Sequence, residues 1–332
     1  MTVELSILDL APIRRGHTAS ESFAASVALA QLAERLGYKR VWYAEHHNMA
    51  SIASSATSVV IAHVGAHTQT IRLGAGGIML PNHAPLLIAE QFGTLEAMYP
   101  GRIDLGLGRA PGSDQNTMRA LRRDPNSAVS FPQDVRELEG YLSGHSLIPG
   151  VQAVPGNGSN VPLYILGSSM FGAQLAAAFG LPYAFASHFS PGLLDQAIAA
   201  YRAEFKPSEA LDRPYVIAGV NVLAADTAEQ AAEQFQAVRR ARAVTLYGRQ
   251  LRLEAPEFSD EQADELLAAG LAAHVDEMLT FTAVGTADDV HAYIERFAER
   301  TGADELITAH YAPVIEERLR SVELLAERTV TV

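Results

Sequence analysis

The sequence contains no cysteine and no long apolar run among its 332 residues. Without thiols, the chain cannot form disulfides, use thiolate catalysis, or build iron–sulfur clusters and cysteine-ligated zinc sites. No apolar run approaches the roughly 20 residues that a membrane helix needs. The N-terminus also lacks the basic region and cleavage site of a signal peptide. These absences predict a cytoplasmic protein without a membrane partner.

Concentrated positive charge is lacking too. The chain has 25 basic and 38 acidic residues, which gives a formal net charge of −13. The one cationic cluster, residues 119–123, is short and is followed by Asp124. Because nucleic-acid backbones require clustered basic residues, this distribution disfavours nucleic acid as a partner.

Common histidine patterns for metal binding are also missing. Zinc hydrolases built on β/α barrels take a His-x-His pair from the first strand, but here that segment ends in Leu8, Asp9 and Leu10. The first histidine is His17, and no His-Glu-x-x-His motif occurs. We therefore expect no metal site, with a metal-dependent hydrolase kept as an alternative.

Eight apolar, β-rich runs alternate with segments of helical periodicity. The predicted strands are residues 3–8, 40–44, 71–76, 103–107, 162–166, 183–186, 215–223 and 305–309. Such alternation predicts a parallel sheet, and eight units fit a closed TIM (β/α)8 barrel, with an open doubly wound sheet as the alternative. No change in composition divides the chain. We therefore expect a single domain, residues 1–332, with insertions after strand 4 (126–160) and strand 7 (258–279).

A glycine-rich stretch, residues 102–114, follows the fourth predicted strand. Gly106, Gly108 and Gly112 give the pattern G-x-G-x-x-x-G, one residue longer than a dinucleotide fingerprint. Glycines let backbone N–H groups approach an anion, and Arg109 adds a planar charge that suits phosphate. Taken alone, the stretch is equally consistent with a phosphate site and with a tight turn carrying a surface arginine.

In a β/α barrel the chemistry takes place at the C-terminal ends of the strands, so residues just after each strand are site candidates. Five of the eleven histidines lie there. The candidates are His46, His47, Gly76, Gly77, Asn82, His83, Arg109, Ser168, Ser169, His188, His310 and Tyr311.

Structural roles compete with function at several of these positions. The pair His46 and His47 could cap a strand through hydrogen bonds. His188 or His310 alone could be a hydrogen-bonded wall residue. The turn Gly167-Ser168-Ser169 precedes a predicted helix, where serine is a common N-cap. The same turn also suits an anion, and Arg109 one strand away could complete such a site.

Several segments together resemble the bacterial luciferase-like, flavin-dependent monooxygenases over nearly the whole chain. They are VWYAEHH at 41–47, IRLGAGGIMLP at 71–81, GRIDLGLGR at 101–109, VGT at 284–286 and TGADE at 301–305. The resemblance is greatest to an uncharacterised single-chain subgroup, and it implies a TIM barrel with FMN at its mouth.

The resemblance also implies roles for individual residues. Arg109 and the turn Gly167, Ser168 and Ser169 match the part that holds the flavin phosphate. The pair Gly76 and Gly77 matches a bulge, often with a cis peptide, against the flavin ring. His46 matches the histidine regarded as the acid/base group. The other histidines at strand ends are candidates for the substrate pocket, namely His47, His83, His188 and His310.

The resemblance implies a reaction in which reduced FMN and O₂ oxygenate a small organic substrate. The flavin is either supplied by a separate flavin reductase or reduced in place, and the protein is expected to be a homodimer or larger homo-oligomer. Gly108 and Ser168 stand where some luciferases have a reactive cysteine and an acidic residue, so we do not expect light emission. Two alternatives stay open: an F420-dependent oxidoreductase that transfers hydride, and a flavin-binding protein without turnover.

Overall fold

A computed structural model describes residues 3–14, 16–110, 115–124, 126–251, 258–328 and 330. The part of the glycine-rich stretch from Pro111 to Asp114 therefore lies outside the described residues. Within the described residues, nine parallel strands form one sheet. They are β1 Glu4–Asp9, β2 Arg40–Tyr43, β3 Arg72–Met79, β4 Ile103–Gly108, β5 Leu163–Gly167, β6 Tyr183–Phe185, β7 Val216–Ala224, β8 Thr282–Gly285 and β9 Glu305–His310.

Eight of these strands close into a ring. Strands β1 to β7 pair in sequence order, β7 pairs with β9, and β9 pairs with β1. The predicted TIM barrel is thereby confirmed. That residues 1–332 constitute one domain stays a prediction.

Helices follow the strands and cover the ring. They are α1 Ala19–Leu36, α2 Thr57–Gly65, α3 Pro85–Met98, α4 Gln115–Ala120, α5 Phe131–Ser143, α6 Met170–Phe179, α7 Leu194–Glu204, α8 Ala228–Leu251, α9 Asp260–Leu266, α10 Ala272–Met278, α11 Ala287–Thr301 and α12 Ile315–Ala326. Local chemistry sets their ends. For example, Thr18 and Glu21 form a capping box at the start of α1, and Gly37 ends that helix at φ 79°. None of the described helices combines the length and apolar character needed to cross a membrane.

The predicted insertion at 126–160 contains α5, and α4 precedes it. The predicted insertion at 258–279 contains α9 and α10, and it lies within a longer insertion after β7 that begins with α8 and ends with β8. Strand β8 was not predicted. It has four residues and pairs only with the C-terminal half of β7, from Asn221 to Ala224, so it lies outside the closed ring. A strand this short has too few alternating positions to stand out in sequence.

The interior of the ring contains two layers. Leu8, Trp42, Tyr164, Ile217 and Ile307 belong to an apolar cluster inside the barrel. Below it, at the N-terminal ends of the strands, lies what we call the floor layer, formed by Arg40, Asp104 and Glu305. Arg40 donates hydrogen bonds to Asp104 at 2.7 Å and to Glu305 at 3.1 Å. Side chains therefore fill the N-terminal end and the middle of the barrel, which leaves the C-terminal mouth as the place for chemistry.

Candidate active site

Three polar side chains from the ends of β2 and β3 form what we call the Glu45 cluster. Glu45 and His47 follow β2, and His83 follows the short turn after β3. The Nε2 atoms of His47 and His83 both lie 2.8 Å from Oε1 of Glu45. The backbone N–H of Met79 donates to Oε2 at 3.0 Å. Because an ionised carboxylate only accepts hydrogen bonds, both imidazoles present an N–H to it.

The electrostatics of the cluster favour a charged carboxylate. Burial of Glu45 opposes its ionisation, but the hydrogen bonds from His47, His83 and Met79 outweigh that effect and lower its pKa to about 2. The hydrogen bond to Glu45 in turn raises the pKa of His47. At neutral pH the mouth therefore holds a buried negative charge beside an imidazole that readily takes a proton.

The sequence prediction included His47 and His83 but not Glu45. The available signal was the segment Glu45-His46-His47, since a carboxylate beside two histidines at a strand end can fix their protonation. The three ligand-type atoms of the cluster lie within 4.8 Å of one another. This spacing is also one that a divalent metal ion could bridge, although metal binding was not expected from the sequence.

His46 and His188 approach each other across the mouth. His46 follows β2, where its backbone N–H donates to the Ser54 carbonyl at 3.1 Å. His188 follows β6 and is 6% exposed. Burial lowers the pKa of His188 to about 3, with further contributions from the positive charges of Arg242 and His46. His188 is therefore a neutral imidazole at physiological pH, whereas His46 lies closer to solvent.

The pair Gly76 and Gly77 lies at a break in the regular pairing of β3 with β4. The pairing of β3 with β4 shifts between Ala75 and Ile78, and the Gly76–Gly77 peptide is cis, as the family resemblance implies. A Cβ atom on Gly76 would lie 2.9 Å from side-chain atoms of Leu8, and one on Gly77 would lie 2.7 Å from the Gly106 carbonyl. Only glycines fit both positions without displacing the backbone or the interior cluster.

Arg109 and the serine turn come together at the start of α6. Arg109, just after β4, is exposed, and its guanidinium carbon lies 4.0 Å from the ring centre of Phe171 in the first turn of that helix. Ser169 is the N-cap residue of α6, and its hydroxyl makes no capping hydrogen bond with the described residues. Tyr183 donates to the Ser169 carbonyl at 3.2 Å and anchors the turn. The helix start thus presents free N–H groups beside a cation.

His310 lies at the end of β9 but points away from the mouth. Glu305 and Ile307 face the ring interior, so the alternation of a strand turns His310 outward. Its two ring nitrogens lie 3.1 Å from Thr308 and 2.8 Å from Ser321 of α12. Burial lowers its pKa to about 3. These contacts pack α12 onto the barrel, and a role of His310 in a substrate pocket stays a prediction.

The sequence profile described as luciferase-like monooxygenase matches residues 3–305. The chain belongs to the luciferase-like monooxygenase family. An Escherichia coli luciferase-like monooxygenase is 46% identical over 324 residues, covering 97% of this chain and 96% of that protein. A Bacillus subtilis N-acetyl-S-alkylcysteine monooxygenase is 35% identical, with coverage of 80% and 79%.

Solved structures extend the family likeness to the fold. The structure of apo-MsnO8 has a TM-score of 0.86 at 36% identity and covers 98% of both chains. Two others at 17% identity share the barrel with TM-scores of 0.70; the first covers 99% of this chain and 98% of the other, and the second covers 99% and 100%. One is a Pseudomonas putida 3,6-diketocamphane monooxygenase component with FMN. The other is a secondary alcohol dehydrogenase with an F420-acetone adduct. These two neighbours hold FMN and an F420 adduct, respectively, in the same barrel.

Proposed function

We propose that the protein is a flavin-dependent monooxygenase that uses reduced FMN and O₂ to oxygenate a small organic substrate. The observation that carries this proposal is the position of Arg109 at the uncapped start of α6. A permanent cation, two serine hydroxyls and free helix N–H groups together fit a single phosphate group. Gly76 and Gly77 carry no side chains, so a flat ring system can lie against β3 at this point.

In this proposal Arg109, Ser168 and Ser169 hold the phosphate, and Gly76 with Gly77 supports the ring. FMN, when bound, supplies the redox chemistry, with O₂ as the oxidant. The chain itself orients the substrate, restricts water at the mouth and controls protons. A separate flavin reductase and a homo-oligomeric state belong to the same proposal, as the family resemblance implies.

His46 is the proposed acid/base residue. It lies at the mouth, it is more accessible than His188, and an imidazole can take up or release a proton near neutral pH. We expect His46→Ala to bind FMN as tightly as the wild type while losing most substrate-dependent turnover, measured as O₂ consumption and product formation. Full turnover in this variant would contradict the assignment.

Replacing Arg109 by alanine tests the phosphate site. Charge-assisted hydrogen bonds contribute about 1.5–3 kcal/mol each, so the Kd for FMN should rise by about 10- to 150-fold. Arg136→Ala is a matched control, because Arg136 stacks on Phe179 at the opposite end of α6, at 3.8 Å from the ring centre. Unchanged FMN affinity in Arg109→Ala, measured by fluorescence titration, would remove the basis of this proposal.

Deazaflavin F420 is the second candidate cofactor, because one structure with the same barrel carries it. Parallel titrations with FMN and F420 separate the two cofactors, and tight binding of F420 alone would exclude the FMN reaction. O₂ consumption that no candidate substrate stimulates would favour a flavin-binding protein without turnover. Metal analysis of the purified protein tests the hydrolase alternative at the Glu45 cluster.

A further inference from the structure

Arg242 occupies an unusual position on the insertion helix α8. Val238 and Leu246, four residues before and after it, pack in one apolar cluster together with Tyr311, which follows β9. Positions four apart share a helix surface, so Arg242 points toward the barrel. Its guanidinium carbon lies 4.9 Å from the centre of the Tyr311 ring. A cation therefore stands between two of the apolar residues through which α8 packs in this cluster.

Arg242 differs from its neighbours on α8 in having no carboxylate partner among the residues that the structure describes. Arg239 pairs with Asp276 at 2.8 Å. Arg240 pairs with Asp264 at 2.6 Å. These two arginines tie α8 to the rest of the insertion, whereas Arg242 has no such structural task.

In the described part of the chain, Arg242 meets an imidazole rather than a carboxylate at the mouth. The positive charge of Arg242 contributes to the lowered pKa of the buried His188 imidazole, and the charge of His46 has the same effect. His188 is neutral, and its Nδ1 atom has no hydrogen-bond partner among the described residues. A partly buried guanidinium is costly without an anion nearby, and such an anion can come from a ligand.

We propose that Arg242 binds a carboxylate group of the substrate, so that the substrate is a small organic carboxylate. This inference rests on the proposed monooxygenase function. The phosphate of FMN has its own cation in Arg109 at the start of α6, on a different part of the ring. The guanidinium lies against the Tyr311 ring, and a planar guanidinium can donate paired hydrogen bonds to the two oxygens of a carboxylate.

The test compares carboxylates with their uncharged carboxamides. Hexanoate, 3-phenylpropanoate and N-acetylmethionine, each paired with its amide, are titrated calorimetrically into the FMN-loaded full-length protein. We expect at least one carboxylate to bind about 10- to 100-fold more tightly than its amide. Arg242→Gln should abolish that preference, while Arg239→Gln, which removes a charge from the same helix, should retain it.

The outcomes separate this inference from the proposed function. FMN affinity is measured in every variant and should not change in Arg242→Gln, and equal circular dichroism spectra establish that the variants are folded. The same titrations are repeated without FMN, so that a failure to bind FMN contradicts the proposed function alone. No preference for any carboxylate in the wild type, or an unchanged preference in Arg242→Gln, would overturn the role of Arg242.

Discussion

Replacing Glu45 by glutamine keeps the shape of the side chain and removes the charge that organises the Glu45 cluster. Glu45 is 1% exposed, and its pKa falls from the usual 4.5 to about 2. At about 1.36 kcal/mol per pKa unit, this difference corresponds to about 3 kcal/mol of folding free energy at neutral pH. The glutamine also replaces one carboxylate oxygen by an NH₂ group, either at Oε1, where His47 and His83 donate, or at Oε2, where Met79 donates.

The contribution of the Glu45 carboxylate to folding free energy depends on pH. The pKa of Glu45 is lower in the folded state, so its contribution is complete above about pH 4.5 and is lost as the pH falls toward 2. Urea unfolding of wild type and Glu45→Gln at pH 7, 5, 4 and 3 should give a difference of about 3 kcal/mol at pH 7 that shrinks between pH 5 and pH 3. Subtracting the variant cancels the titrating groups that do not interact with Glu45, and the pKa of His47, which depends on Glu45, is followed separately.

Two further measurements constrain the interpretation. Glu299→Gln, at an exposed position of α11, is the matched control and should change stability little at any pH. The pKa of His47, followed by NMR, should fall in Glu45→Gln because its carboxylate partner is gone. A stability difference that stays constant between pH 7 and 3 would refute the reasoning.

Two other substitutions test the packing of the barrel. Gly77→Ala would place a methyl group 2.7 Å from the Gly106 carbonyl. We expect a loss of about 1–3 kcal/mol in urea unfolding together with weaker FMN binding, whereas Gly192→Ala, where no atom lies within 4 Å of the added methyl, should change neither. Arg40→Met would leave Asp104 buried with fewer partners in the floor layer, and thermal unfolding should reveal a loss of about 3–5 kcal/mol. Wild-type stability in either variant would contradict the corresponding packing argument.

The barrel was predictable because its elements carry strong local signals. Helix α3 begins at Pro85 and ends at Met98, as predicted, since proline fits the first turn and the segment Tyr99-Pro100-Gly101 cannot continue a helix. Strand β8 was missed because it depends on pairing with β7 rather than on its own four residues.

The candidate site was predictable in part. The approach of Arg109 to the turn before α6 follows from barrel order alone, because consecutive strands are neighbours. The direction of the His310 side chain depends on which face of β9 is turned inward, and a shift of the strand register by one residue would reverse that direction. The position of Arg242 over Tyr311 depends on how the insertion folds back, which no local pattern specifies.

Closure of the ring through β9 has a consequence for synthesis of the chain. Ser6 donates to Glu305 across 299 positions, so β1 lacks one partner strand until nearly the whole protein has left the ribosome. A chain that stops before β9 would expose unpaired edges of both β1 and β7, and such edges promote aggregation. The Glu45 cluster needs only residues 45–83 and can assemble early, but its barrel mouth exists only once the last strand arrives.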